Sequence, residues 1–200
     1  MKPLSFFIML SFSLCASLCC PGEDEPGASF SIENNGLITI DNNVSTFNLN
    51  DQITIHTVIP DEQITTDGQS LNISELFYND VLNESFLQHS LTLYKETDFG
   101  TLSKIAVTNQ DIEASEGIVE SFGDIIQIRN FYDTDTNTFR SKFSITLKET
   151  GTYYLSSNQF NFEDFRGISI SGGIYELGFV TITTNILNTE ENGGYIFVVN

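Results

Sequence analysis

Three oxygen-bearing side chains alternate in the segment from Asp133 to Asn137. Asp133, Asp135 and Asn137 place hard oxygen ligands at every second position, which is the pattern at the start of a calcium-binding loop. A helix–loop–helix calcium site also needs glycine at the sixth position and glutamate at the twelfth, where this sequence has Thr138 and Ser144. The segment therefore predicts a polar hairpin turn. The alternative is a different kind of calcium loop, which would bind a calcium ion.

Residues suited to catalysis are scarce. His56 and His89 are the two histidines, and each lies in a segment that alternates like a β-strand, where a lone histidine is more often a half-buried or surface residue than a base. No cysteine follows position 20. The segment 167–172 places serine two positions after glycine but lacks the second glycine of a nucleophile elbow. We predict that the protein is not an enzyme. A carboxylate-dependent hydrolase, or an accessory domain of one, is the alternative that so acidic a chain leaves open.

The charge balance narrows the choice of partners. The 200 residues include 27 acidic and 8 basic side chains, giving a net charge of −19, and 40% of them are hydrophobic. This length and apolar fraction suit one folded domain. Nucleic-acid binding and adsorption to an anionic membrane both need clustered lysine and arginine, so the composition excludes both.

The first twenty residues have the features of an export signal. Lys2 precedes the apolar run 4–14, which at about 1.5 Å per residue is too short to cross a hydrocarbon core of about 30 Å. A positive start followed by a short apolar stretch and small residues is typical of a secretory signal peptide. All three cysteines, Cys15, Cys19 and Cys20, lie in this region, so the folded domain contains no disulfide framework.

The residues that end this segment resemble a bacterial lipobox, in which a peptidase cuts before a cysteine that then carries lipid on its sulfur. The sequence 16–20, Ala-Ser-Leu-Cys-Cys, fits that pattern imperfectly; it favours Cys20 as the lipidated residue, with Cys19 as the alternative. The acidic tether that follows, residues 20–29, resembles the export signal of Bacteroidetes-type surface lipoproteins. The resemblance implies a signal peptide over 1–19, membrane attachment through a lipid anchor, and a location on the outer membrane or cell surface. A periplasm-facing or a secreted protein is the alternative.

The remainder of the chain predicts β-strands. Residues 139–148 alternate strictly between apolar and polar, and their expected partner is the segment 125–131, joined through a hairpin loop at 133–137. A short helix beginning at Ser74 is an option within 74–88. Many short strands at this spacing are typical of a sandwich or barrel. Further strands are predicted over 37–40, 47–49, 53–59, 89–95, 103–108, 175–187 and 194–199.

A short motif sharpens the choice of fold. Glu149, Gly151 and Tyr153 are spaced as in the tyrosine corner of immunoglobulin-like domains, which the segment 148–155 resembles. The resemblance implies that the Tyr153 hydroxyl bonds to backbone a few residues upstream and fixes the start of the strand. The chain lacks the cysteine pair and tryptophan of antibody domains, which excludes that subclass. We therefore predict an all-β, immunoglobulin-like antiparallel sandwich with insertions over residues 30–200.

These features together predict a non-catalytic binding or interaction module at the cell surface. Its ligand would be a glycan or a protein, and its role adhesion, assembly or capture. The choice rests on an anchored sandwich that carries no catalytic constellation. Besides the hydrolase, a calcium-stabilised structural module is an alternative, and it requires Asp133, Asp135 and Asn137 to converge.

Overall fold

Sixteen strands and four short 3-10 helices make up the regular structure of residues 27–158, 167–189 and 194–200, the parts of the chain that the computed structural model describes. The strands are β1 Ser29–Glu33, β2 Ile38–Ile40, β3 Thr46–Phe47, β4 Gln52–Pro60, β5 Glu62–Ile64, β6 Ser70–Asn72, β7 Phe86–Glu96, β8 Leu102–Ile105, β9 Ile112–Glu116, β10 Ile118–Phe122, β11 Ile125–Asp133, β12 Thr138–Thr146, β13 Gly151–Ser156, β14 Ile168–Ile174, β15 Gly178–Thr184 and β16 Tyr195–Val199. The 3-10 helices are Asp41–Asn43, Ile73–Leu76, Asn79–Glu84 and Asn109–Asp111. None of the helices in these ranges is long and apolar enough to span a membrane.

The long strand β7 belongs to two sheets. Its first half, residues 86–91, pairs with β11 in a sheet of order β1-β15-β14-β7-β11-β12-β4-β2. Its second half lies between β8 and β13, and β13 leads on to β16 and β3. Two sheets that share one strand enclose the core between them. The predicted all-β, immunoglobulin-like sandwich with insertions is therefore confirmed.

The first sheet curls until its ends meet. β1 runs parallel to β15, and the chain then turns into β2, which pairs with β4. Ile38 in β2 forms a parallel bridge with Ile186, and the backbone N–H of Leu187 donates to the carbonyl oxygen of Ile38 at 2.8 Å. The curl leaves one face of each of these strands turned inward and the other turned to solvent.

The predicted hairpin around residues 133–137 is confirmed, but it forks beyond its turn. β11 and β12 pair only from Phe131–Arg140 to Asp133–Thr138. Beyond that point β10 pairs with β11 and β9 pairs with β12. Gly117, between β9 and β10, sits at the fork with φ +79°, where a Cβ would lie 2.6 Å from the Arg129 carbonyl oxygen. Glycine is therefore required at this position.

The interior holds two hydrophobic clusters. We call the end of the molecule with the β14–β15 turn and the start of β7 the proximal pole, and the end with the β7–β8 turn the distal pole. The proximal cluster includes Ile59, Leu87, Phe139, Ile170, Val180 and Ile182. The distal cluster includes Leu93, Phe143, Ile145, Tyr153, Leu155 and Phe197.

A polar layer separates the two clusters. On five strands the inward residue between a distal and a proximal apolar residue is polar and buried. On β7, for example, His89 lies between Leu91 of the distal cluster and Leu87 of the proximal cluster. The layer consists of Thr57 on β4, His89 on β7, Asn130 on β11, Ser141 on β12 and Thr184 on β15.

Two sequence predictions about elements are wrong in detail, and several strands were not predicted. The strand expected over 175–187 is instead a turn followed by β15, and β14 before it was not predicted. The option of a helix from Ser74 is replaced by two 3-10 helices, and β9 and β10 were not predicted at all. Strand β14 contains Gly172 and Gly173, which remove the apolar alternation on which strand prediction depends. Strand β9 is short and contains two glutamates, so it too gives no such pattern.

Candidate binding site

The seam between β7 and β14 is held by one paired position, with a cavity on either side of it. Ser171 on β14 pairs with Gln88 on β7. A cavity of about 450 Å³ opens toward the proximal pole, and one of about 390 Å³ lies on the other side. Both cavities are lined by Gln88 and Ser171, so they form one groove interrupted by a bridge. We call the two together the seam groove.

The proximal cavity is mainly apolar. Its walls come from Phe77, the end of the third 3-10 helix and the start of β7 on one side, and from the β14–β15 hairpin on the other. Such a cavity, apolar with a few polar groups, is the usual form of a ligand site. The lining residues are Phe77, Glu84, Ser85, Phe86, Gln88, Ser171, Gly172, Gly173, Ile174 and Phe179.

Two glycines let β14 lie close to its neighbours at this cavity. A Cβ on Gly172 would stand 2.8 Å from the carbonyl oxygen of Phe86. Gly173 has φ +130°, and a Cβ there would stand 2.2 Å from the carbonyl oxygen of Gly178. Because neither position has room for a side chain, the backbone itself forms the floor of the cavity.

Aromatic rings flank the groove at its proximal end. The rings of Phe86 and Phe131 lie 5.8 Å apart, and the Arg129 guanidinium lies 5.4 Å from the Phe86 ring centroid. Phe179, on the opposite wall, is 44% exposed. In the other cavity Phe122 is 60% exposed. The groove thus offers ring surfaces to solvent, although large apolar side chains are usually placed inside.

The strands around the bridge present a neutral polar surface. Ser171 pairs with Thr181 on one side and with Gln88 on the other, and Gln88 in turn pairs with Arg129. Hydroxyl and amide groups can both donate and accept hydrogen bonds. The outward positions two residues further along these strands are of the same kind, namely Thr183, Ser169, Ser90 and Gln127.

Formal charge is nearly absent from this groove. Among the described residues that line it, Glu84 provides the one carboxylate, at the rim of the proximal cavity. Arg129 beside the groove is paired with Glu120, with 3.7 Å between its Nη2 and the carboxylate Oε2. The groove therefore suits a neutral ligand better than a charged one.

The three residues of the predicted tyrosine corner come together at the distal pole. The Tyr153 hydroxyl donates to the carbonyl oxygen of Glu149 at 2.9 Å, and the Tyr153 ring stacks on Phe197 at 5.5 Å. Lys95 lies over the ring and pairs with the Glu149 carboxylate at 2.6 Å, a hydrogen bond that raises the pKa of Lys95. Gly151, with φ +142°, lets the chain pass Lys95, whose Cε would be 2.8 Å from a Cβ there. Burial raises the pKa of Tyr153.

The side chains of the possible calcium loop form hydrogen bonds within the hairpin. The carboxylate of Asp133 accepts from the backbone N–H of Asp135 at 3.0 Å, from the Thr136 hydroxyl at 2.8 Å and from Arg140 at 3.4 Å. The side-chain oxygen of Asn137 accepts from the Tyr132 hydroxyl at 3.3 Å. In the described ranges no three His, Cys, Asp or Glu side chains gather in a way that would hold a metal ion.

The sequence did not predict the full burial of His89. His89 is buried, and burial lowers its pKa to about 3 from the ordinary 6.5. The Asn130 amide donates to the carbonyl oxygen of Leu87 at 2.8 Å and to Nδ1 of His89 at 3.1 Å, and it accepts from the Ser141 hydroxyl at 2.7 Å. The Nε2 of His89 has no hydrogen-bond partner in the part of the chain that the structure describes. His56 on β4 is half-buried.

The predicted anchor lies outside the described residues. Cys19, Cys20 and the signal peptide precede Gly27, where the description of the chain begins. The tether predicted over 20–29 is described only from Gly27, and its last residue, Ser29, already belongs to β1.

Comparisons with known proteins give one similar structure. No protein-family model and no curated protein matches the chain. A type II cohesin domain from the cellulosome of Acetivibrio cellulolyticus aligns over 82% of this chain and 95% of its own, with 12% identity and a TM-score of 0.29. A similarity this low supports no statement about the ligand or the partners of the present protein.

Proposed function

We propose that this protein is a non-catalytic binding module of the bacterial cell surface, held by lipid on Cys20, and that the seam groove is its binding site. The observation that carries the proposal is the pair of cavities joined at Ser171 and Gln88 on an outward sheet face. Glycoside hydrolysis by the usual route needs two carboxylates beside the bond, and the described lining of the groove supplies Glu84 alone. We therefore propose capture of a ligand rather than its cleavage.

The ligand that the groove suits best is a neutral glycan chain. Serine, threonine and glutamine side chains around the bridge match sugar hydroxyls, because both partners donate and accept hydrogen bonds. The exposed ring of Phe179 and the half-buried ring of Phe86 offer flat apolar surfaces to the C–H faces of a sugar ring. A net charge of −19 disfavours anionic polysaccharides, which the chain would repel.

Binding is tested with soluble protein comprising residues 20–200 and a panel of neutral oligosaccharides, using titration calorimetry. We expect Gln88→Ala to weaken binding about tenfold, because one hydrogen bond to the ligand is worth about 1.4 kcal/mol. Ser103→Ala on β8 is the matched control, since Ser103 is exposed and outside the groove. An oligosaccharide that binds both variants equally well would contradict the assignment of the groove, and recognition of a protein alone would contradict the glycan.

The anchor is tested separately in a bacterial host. We expect fatty-acid label on the wild-type protein and on Cys19→Ser, loss of label from Cys20→Ser, and removal of the protein from intact cells by external protease. Label that persists in Cys20→Ser and disappears in Cys19→Ser would move the anchor by one residue. The absence of label from all three proteins would contradict the proposed lipoprotein.

A further inference from the structure

The turn between β14 and β15 presents apolar side chains to solvent at the proximal pole. Tyr175 is 63% exposed and Leu177 is 40% exposed. The backbone N–H of Leu177 donates to the carbonyl oxygen of Ile174 at 3.0 Å, so the turn is closed and holds both side chains at its tip. Glu176 between them is also exposed. A closed turn with two large apolar residues at its tip is a surface suited to an apolar partner.

The start of the described chain is fixed to the same turn. The backbone N–H of Gly27 donates to the carbonyl oxygen of Tyr175 at 2.7 Å. The backbone N–H of Phe179 donates to the carbonyl oxygen of Ala28 at 2.9 Å. A Cβ on Gly27 would lie 2.4 Å from the backbone nitrogen of Gly178, so the two segments are in direct contact. The chain that leads from Cys20 therefore meets the domain at the tip of this turn.

The length of that chain limits the distance from an anchor. Cys20 precedes Gly27 by seven residues, which span at most about 25 Å even when fully extended. The distal pole is much further away, because the eleven residues of β7 extend for about 36 Å. An anchor on Cys20 therefore keeps the β14–β15 turn, and not the β7–β8 turn, within about 25 Å of the membrane surface.

We propose that Tyr175 and Leu177 form a membrane-contact site, in which the β14–β15 turn lies in the interfacial layer of the bilayer to which Cys20 is attached. This proposal rests on the lipid anchor of the proposed function. Tyrosine favours the membrane–water interface because its ring is apolar and its hydroxyl is polar, and leucine adds apolar area. Glu176 and the acidic residues 23–25 favour a zwitterionic lipid surface over an anionic one. The contact would orient the domain with its distal pole outward.

The absence of tryptophan from the sequence makes a direct test simple. Protein comprising residues 20–200, which includes all of the described fold, has Cys20 as its single thiol. It can be coupled through that thiol to phosphatidylcholine vesicles that contain a maleimide lipid. Tyr175→Trp places a single reporter in the turn, and Phe99→Trp is the matched control, since Phe99 is 92% exposed in the β7–β8 turn.

On coupling, we expect the emission of Tyr175→Trp to shift to shorter wavelength and to be quenched by brominated lipids, with neither change in Phe99→Trp. Adding Leu177→Ser to the Tyr175→Trp protein should reduce the quenching. Equal behaviour of the two single-tryptophan proteins, with thermal unfolding as in the wild type, would overturn the contact. Because the coupling is chemical, that failure would not affect the proposed anchor, which lipid labelling in cells decides.

Discussion

The proximal and distal clusters share several strands but are closed in different ways. At the distal pole three tyrosine hydroxyls donate to backbone carbonyl oxygens: Tyr94 to Ser157, Tyr153 to Glu149 and Tyr195 to Val44, at 2.8 to 3.0 Å. At the proximal pole the Asp61 carboxylate accepts from the backbone N–H and hydroxyl of Ser74 at 2.7 and 2.8 Å. It thereby holds a single 3-10 helix in place. Three tyrosine hydroxyls therefore tie the distal cluster to the backbone around it, whereas the half-buried Asp61 carboxylate fixes a 3-10 helix over the proximal cluster.

This difference explains why the groove lies where it does. Phe77 and Ile174, which contact the proximal cluster or belong to it, also line the proximal cavity. That end is covered by short 3-10 helices and by β14, whose Gly172 and Gly173 place no side chain in the cavity. The proximal cavity therefore lies where the strand that forms its floor carries no side chains.

The polar layer between the clusters offers the strongest way to break this arrangement. Asn130→Ala removes three hydrogen bonds from a side chain that is 0% exposed. It leaves the Leu87 carbonyl, the His89 ring and the Ser141 hydroxyl without this partner. We expect the free energy of unfolding to fall by about 3 kcal/mol, because buried polar groups without partners are costly. Urea denaturation measures this loss.

Gln127→Ala is the control for that variant, since Gln127 lies on the outward face of the same strand. It should change the free energy of unfolding by no more than about 0.5 kcal/mol. If Asn130→Ala were as stable as this control, the buried hydrogen bonds of the polar layer would not contribute to the stability of the fold.

A pH titration tests the same layer through His89. Burial lowers the pKa of this histidine to about 3 in the folded chain, below the 6.5 of the unfolded chain. Between these pH values the unfolded chain binds one more proton, so stability is complete above pH 6.5 and is lost as the pH falls toward 3. Between pH 7 and pH 5 we expect a loss of about 2 kcal/mol from this group.

The measurement compares urea denaturation at several pH values for wild type and His89→Gln, in which this position cannot titrate. The carboxylates titrate in both proteins, so the difference between the two pH profiles isolates the histidine. His56→Gln should keep the wild-type profile if His89 is the source. Identical profiles for wild type and His89→Gln would show that the folded chain accommodates the charged ring.

Many strands of the sandwich could be predicted from sequence because apolar and polar residues alternate along them. Phe139, Phe143 and Ile145 face inward as the alternation over 139–148 predicts, and the partner strand β11 was placed within two residues of its observed end. The seam groove was not accessible, because Gln88 and Ser171 are far apart in sequence and meet at a single pair. The glycines that shape the floor of the groove indicate a break in a strand rather than the interior of one.

The hairpin at residues 133–137 shows a similar limit of prediction from sequence. The spacing of Asp133, Asp135 and Asn137 indicates oxygen ligands, but it does not reveal what those oxygens already bind. Arg140 reaches the Asp133 carboxylate from the returning strand, at 3.4 Å. The hydrogen bond from Tyr132 to Asn137 likewise depends on how the hairpin closes. Sequence spacing identifies hydrogen-bond donors and acceptors along one segment, whereas their partners depend on how the strands pair.

The smallest expected change in stability comes from one hydroxyl group in the distal cluster, and it tests whether the two poles are independent. Tyr153→Phe keeps the ring stacked on Phe197 and removes only the hydroxyl that bonds to the Glu149 carbonyl oxygen. We expect a loss of about 1 kcal/mol in the free energy of unfolding, the usual worth of one such hydrogen bond. Tyr175→Phe, at the exposed proximal turn, is the matched control and should leave stability unchanged. Because Tyr153 belongs to the distal cluster, its variant should also bind oligosaccharide like the wild type; a weakened affinity would mean that the polar layer transmits changes from one cluster to the other.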